Sequence, residues 1–278
     1  MGKYLQIGGI LLLSVVLLIA AGFAVNHWFQ YEKAQEIQSQ AVELAAPQPS
    51  SPTPVLAPIP PRETEATRAP EQKETAPEEP DPQALELCKL NTAALQEKNP
   101  DVLGWIRIPG TQIDYPLLAA DSADEYLHTA WDGSYSYSGS IYLEQGNSRD
   151  LTDFHTIIYG HNMKNGTMFG NLIGYGDAAF WEERSYVYVR SGDTVHRYEI
   201  FAAYTASIES DTYRIAFSSP ERKEKAISYY LEHADFPEKP ELSVQSRILT
   251  LSTCTGYGDN EKRWVVQAVC TGAWQIEA

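Results

Sequence analysis

From Tyr4 to Val25 the chain runs for 22 residues without a charged side chain, YLQIGGILLLSVVLLIAAGFAV, with only Gln6 and Ser14 strongly polar. At about 1.5 Å of rise per residue, a helix of that length crosses a hydrocarbon layer about 30 Å thick. Gly22-Phe23-Ala24 has the small-x-small form of a leader-cleavage site. The run is nevertheless longer than the ~7–15 apolar residues usual in a leader, so a retained anchor is expected. Lys3 precedes the run, and His27, Glu32 and Lys33 follow it with little net positive charge. The positive-inside bias then places residues 1–3 in the cytoplasm, a signal-anchor helix over 4–25, and everything after about Asn26 outside. The expected location is the cell membrane, single-pass, with the bulk of the chain extracytoplasmic.

Of the 17 prolines, 11 fall between Pro47 and Pro82. Residues 26–84 carry ten acidic and four basic side chains and, after a polar stretch with helical character from Tyr31 to Leu44, turn rich in Pro, Glu, Thr and Ala. Such a composition buries no core and favours extended conformations, so 26–84 is read as a semi-rigid, disordered stalk. A proline-rich docking ligand is the functional alternative. Over the whole chain, 21 basic against 37 acidic residues give a net charge of −16, which excludes ordinary phosphate-directed nucleic-acid binding.

The remaining 194 residues, 85–278, suffice for one domain with its own core. Ala84, Leu87, Cys88, Asn91, Ala94 and Leu95 make an amphipathic helix bounded by Pro100. Strand patterns follow at Leu103 to Ile108, Ser140 to Leu143, Thr156 to Tyr159, Tyr186 to Arg190, Val195 to Thr205, Arg247 to Leu251 and Arg263 to Val269. Two more helices fit Met168 to Glu183 and Ser219 to His233. Strands and helices do not alternate as a parallel sheet requires, so the class is mainly β, a barrel or a sandwich.

Three cysteines are too few for a disulfide scaffold, and their odd number leaves a free thiol. Cys254, in ILTLSTCTGYGDN, ends an apolar strand before a glycine-containing loop, where a strand delivers a side chain to a rim. Cys88 and Cys270 lie among apolar residues and are read as packing thiols. Of the six histidines, His161 ends HTIIYG and opens HNMKNGTMF, again a strand end. Arg263, nine residues after Cys254, would come back beside the thiol if the loop folds over. Thiol, imidazole and guanidinium make a nucleophile, a proton-transfer partner and an oxyanion donor. Asp153, Asp259 and Glu261 are candidates for orienting the imidazole. No H-E-x-x-H and no CxxC is present, and no metal site is expected.

TLSTC at Thr250 to Cys254 with its following arginine, together with IIYGHNMKNGTMF at Ile157 to Phe169, resembles a sortase, the membrane-anchored cysteine transpeptidases of Gram-positive bacteria. VLGWIRIPGTQIDYPLL (Val102 to Leu118), the Tyr-Gly-His-Asn-Met form around His161, and some forty residues with a helix between the strands at Val195 to Thr205 and Arg247 to Leu251 are similar to class B sortases. The resemblance implies an eight-stranded β-barrel with an N-terminal helix and a helix inserted between strands six and seven. It implies an active site of His161, Cys254 and Arg263. A sorting signal of N-P-x-T-x type on secreted surface proteins would be cut after its threonine through a Cys thioester, which an amine of a peptidoglycan precursor or a pilin resolves. Substrate contacts would fall on Ser252, Thr255, Tyr159 and the Tyr213 to Ile215 segment, and on His128, which stands in DEYLHTAW where some members carry asparagine. With no acidic cluster for a regulatory calcium, no cofactor is implied. Free cysteine titrates near ~8.5, so Arg263 and a protonated His161 are expected to favour the thiolate.

The competing enzyme is a cysteine hydrolase of cell-wall peptides; its papain-like forms place Cys before His, with the cysteine opening a helix, whereas here His161 comes first and both end strands. A stalked, non-catalytic surface-binding protein is the alternative of another class.

Overall fold

The computed structural model describes residues 2–47, 55–58, 81–119, 121–122, 125–234, 236, 239–255 and 261–277. Helix α1 (Gly2–Ala45) contains the whole apolar run and ends just ahead of the first proline of the Pro-rich stretch, where the missing N–H and the restricted preceding residue forbid continuation. Leu13–Ala45 contains a window long and apolar enough to cross a membrane, none of it buried. Further along, Ile37, Ala41 and Ala45 are buried and Tyr31, Ala34, Gln38 and Leu44 half-buried. Their helical spacing docks one stripe of α1 on the domain. Two bonds fix it: Trp131 donates its indole N–H to the Ile37 carbonyl at 2.9 Å, and the Gln38 amide donates to the Asp114 carbonyl at 2.8 Å.

Eight strands close a barrel: β2 (Val102–Arg107), β3 (Asp114–Leu118), β4 (Ile141–Leu143), β5 (His155–Tyr159), β6 (Tyr186–Ser191), β7 (Thr194–Ser207), β8 (Ile248–Cys254) and β9 (Lys262–Glu277), in the cyclic order β9-β7-β6-β2-β3-β4-β5-β8 and back to β9. Two pairs, β3–β4 and β5–β8, are parallel and the others antiparallel. A ninth strand, β1 (Val55–Pro58), pairs with the far end of β9. Inside the barrel Ile106, Leu117, Ile141, Ile158, Val189, Ile200, Leu251 and Val266 form one core. A second cluster, with Phe201, Tyr230, Ile248 and Val265, packs helix α5 (Pro220–Glu232) on the outside. Because β5 lies between these layers, four of its five residues are buried, and it shows an apolar run instead of alternation. Helix α5 sits between β7 and β8, the sixth and seventh barrel strands, as expected.

The sequence patterns missed β1 and β3. Pro116 disguises β3: a proline argues against a central strand, yet β4 pairs only with Leu117 and Leu118, beyond it. The helix expected over Ala84 to Leu95 is two, α2 (Pro82–Cys88) and α3 (Thr92–Gln96). Buried Arg190 explains the break, since its Nη1 donates to the carbonyls of Leu87, Cys88 and Leu90 at 3.1, 3.1 and 2.6 Å. The helix expected over Met168 to Glu183 is a 3-10 segment, Gly170–Gly176, followed by α4 (Ala178–Glu183).

The stretch read as a stalk, 26–84, joins the folded part in two places, through the docked half of α1 and through β1. Leu56 of β1 and Ala84 and Leu87 of α2 share one cluster with Trp274, so the chain leaves and re-enters the domain at neighbouring points. Most of the Pro-rich sequence, 59–80, lies outside the described residues.

Candidate active site

Antiparallel β8 and β9 place Cys254 directly opposite Arg263. Parallel β5 and β8 place Tyr159 opposite Ser252, with the Gly160 N–H donating to the Ser252 carbonyl at 3.2 Å. Continued by two residues, that register carries His161 to the level of Cys254. Three strand ends thus bring the thiol, the guanidinium and the imidazole to one rim.

Gly160 is required by close packing: a Cβ there would come within 2.8 Å of the Phe169 ring. The loop after it is closed by the Phe169 N–H donating to the His161 carbonyl at 2.9 Å and by a bridge between Asn162 and Met168. The Asn162 amide donates to the Cys254 carbonyl at 2.8 Å, tying the two motif loops together.

Of the three carboxylates proposed as orienting groups, two lie among the described residues, and the hydrogen bond made by His161 goes to neither. Asp153 accepts from Asn147 and the Ser148 N–H instead; Asp259 lies outside the described residues; Glu261 contributes its backbone carbonyl to the Ile208 N–H. His161 Nε2 pairs with the Leu127 carbonyl at 2.7 Å. A carbonyl only accepts, so Nε2 carries the hydrogen and Nδ1 is the nitrogen left to exchange a proton. Burial, opposed by the Leu127 bond and reinforced by His128, holds the His161 pKa below the ordinary imidazole value. The two rings stack at 5.6 Å and 21°. Burial and the neighbouring ring thus both favour the neutral imidazole over the protonated form expected beside the thiol.

Cys254, His161 and Arg263 line a cavity of about 470 Å³ with Tyr159, Tyr213, Ile215 and Ser252. Thr255 is not part of this wall, and His128 lines a neighbouring cleft that also reaches Cys254. Tyr213 bonds the Ser252 hydroxyl at 2.8 Å, and burial pushes its phenol up to about 12. Tyr159 donates to Glu144 at 2.7 Å. Leu127, Tyr142, Glu144, Ile208 and Thr253 complete the cavity and were not foreseen. Glu144 could have been found from the β4–β5 pairing; Leu127 and Ile208 belong to loops without a sequence pattern. Cys88 is buried, its thiol donating to the Leu85 carbonyl at 2.9 Å, and Cys270 accepts from Arg247 at 3.0 Å. Among the described residues no cluster of three or more metal-ligating side chains occurs.

The match to known proteins covers this rim. A model of the sortase domain matches residues 106–271. Sortase B of Listeria monocytogenes is 38% identical over 176 residues, 62% of this chain and 71% of its own length. The crystal structure of sortase B from Clostridium perfringens superposes with a TM-score of 0.60 at 33% identity, covering 65% of this chain and 99% of that one. Sortase B from B. anthracis shares the fold at a TM-score of 0.68, covering 88% of this chain and 99% of that one. With a domain match over more than half its length, and with class B relatives in both sequence and structure, the chain belongs to the sortase family, as a class B member.

Proposed function

We propose that this transpeptidase cuts a C-terminal sorting signal of N-P-x-T-x type after its threonine and passes the acyl group to an amine of the cell wall or of another protein. The carrying observation is the convergence of Cys254, Arg263 and His161 at three adjoining strand ends on one cavity. The Cys254 thiolate attacks the threonine carbonyl. The oxygen that becomes negative is held by the Arg263 guanidinium, and His161 gives its proton to the departing amine. Collapse leaves a Cys254 thioester, which the incoming amine attacks, returning its proton to His161. The peptide lies along Tyr213, Ile215, Ser252 and Tyr159, whose walls are fixed by the Tyr213–Ser252 and Tyr159–Glu144 bonds. In support, a solved relative from Staphylococcus aureus is a sortase B-substrate complex. The anchor reading of α1 and an extracytoplasmic domain place the chemistry where secreted chains and wall amines meet.

The test is mass spectrometry of products from a sorting peptide with and without an added amine. The wild type should give an amine-linked product, and Cys254→Ala neither thioester nor product. Cys88→Ala and Cys270→Ala should remain active. Activity surviving in Cys254→Ala, or hydrolysis unaffected by any amine, would overturn the assignment.

A further inference from the structure

The helix that holds the apolar run also forms a wall of the cleft beside Cys254. α1 continues unbroken from Gly2 to Ala45, so the segment that fits a membrane and the stripe docked on the barrel share one axis. Tyr31 follows Val25 by six residues, about 9 Å along a helix. Tyr31 lines a cleft of about 250 Å³ with His128, Tyr137, Met163, Lys164 and Cys254. The His27 ring stacks on Tyr31 at 4.8 Å and meets the Tyr137 ring edge-on at 5.6 Å. At the level where the apolar run ends, the helix therefore touches the loop between β3 and β4.

Around that contact the helix and the loop carry a band of exposed aromatic side chains. Trp28 and Phe29 on the helix are 55% and 56% exposed, and Tyr135 and Tyr137 on the loop 60% and 40% exposed. Exposed aromatic rings beside the end of an apolar helix are what the headgroup layer of a bilayer accommodates, apolar body inward and polar tip in water. The other end of the docked stripe points away: Ala45 accepts from the Asn91 N–H at 2.9 Å, at the end of the domain where Leu90 meets Arg190. The rim of the active site and the apolar run thus lie at the same end of the molecule.

We propose that the domain rests with its active-site mouth in the headgroup layer, Tyr135 and Tyr137 acting with Trp28 and Phe29 as interfacial contacts, so that Cys254 meets peptides and amines themselves held at the membrane surface. The proposal rests on the reading of α1 as a membrane anchor. The occupant of the aromatic band is lipid, because the band continues the surface of the helix already fitted to the bilayer.

The experiment uses the full chain in vesicles of phosphatidylglycerol and phosphatidylethanolamine, with the photoreactive residue p-benzoylphenylalanine in place of Tyr135, Tyr137 or, as a control in the β6–β7 turn, Asp193. All three side chains are exposed, so the fold should survive, and an unchanged circular-dichroism spectrum checks it. Flotation with the vesicles tests the anchor separately. Lipid adducts at 135 and 137 but not at 193 are expected. Flotation without adducts at 135 and 137 would overturn the proposal and leave the anchor standing; a cross-linked dimer would assign the band to a second copy. Failure to float would remove the anchor and the proposal with it.

Discussion

Burial and a second ring both lower the His161 pKa, and the two causes can be separated. His128 contributes through its charge when protonated, so His128→Asn removes that repulsion, while burial and the Leu127 bond remain. The His161 pKa should then rise. The acid limb of the kcat/KM profile should then move to higher pH. The thiolate–imidazolium fraction should increase, because that form gains with each rise in the proton affinity of the imidazole. NMR titration of His161 in parallel with the rate profile checks both; an unmoved limb with a raised pKa would remove His161 from proton transfer. Arg263 has a companion test. As an oxyanion donor its loss should cost about a hundredfold in turnover, or about 3 kcal/mol. Arg263→Lys should stay slow, because an ammonium is a hydrated point charge without the planar fork. Near wild-type turnover in both Arg263→Ala and Arg263→Lys would leave the arginine outside the reaction.

The segment between β7 and β8 is one wall of the cavity, and it is pinned to the barrel at neighbouring residues. Tyr213 bonds Ser252, and the carbonyl of Arg214 accepts from His155 Nδ1 at 2.7 Å, while His155 Nε2 takes the Thr250 hydroxyl at 2.7 Å. Burial drives the His155 pKa down to about 4, so this link stays neutral and intact throughout the working pH range. Tyr213→Phe should release one pin at a cost of about 0.5–1.5 kcal/mol. The consequence should be a KM for the sorting peptide raised up to about tenfold, with kcat little changed, in steady-state kinetics. An equal fall in kcat would mean that the wall also shapes the transition state. These pins mark where sequence reading stops. Cys254, His161 and Arg263 were legible because each sits at the end of a strand with its own pattern. Tyr213 and Ile215 were legible only through the family resemblance. The pairing of His155 with Arg214 was not, since it joins a buried strand to an irregular loop across 59 residues. β3 was hidden by Pro116, and the α2–α3 break by an arginine that reaches it from about a hundred residues away.

At the scale of the molecule, composition suggested a stalk that lifts the domain from the membrane, whereas packing ties the same stretch back to the barrel twice. Ile37, Ala41 and Ala45 bury one stripe of α1, Trp131 bonds its backbone, and β1 adds four residues to the edge of β9. An isoleucine fully removed from water contributes about 1.5–3 kcal/mol, and the strand pairs and indole bond add to it. Cleavage within 59–80 would therefore cut the chain between two docked points without separating the domain from its anchor. Proteolysis of membranes carrying the full chain should nick the Pro-rich segment and leave the catalytic fragment in the membrane pellet, still able to cleave the sorting peptide. Adding a charge to the docked stripe, as in Ile37→Asp, should weaken the association, because a carboxylate cannot be buried there without a partner. After the same nick, that variant should shed its domain into the supernatant. A wild-type fragment released in active form by proteolysis alone would restore the stalk and detach the barrel from α1.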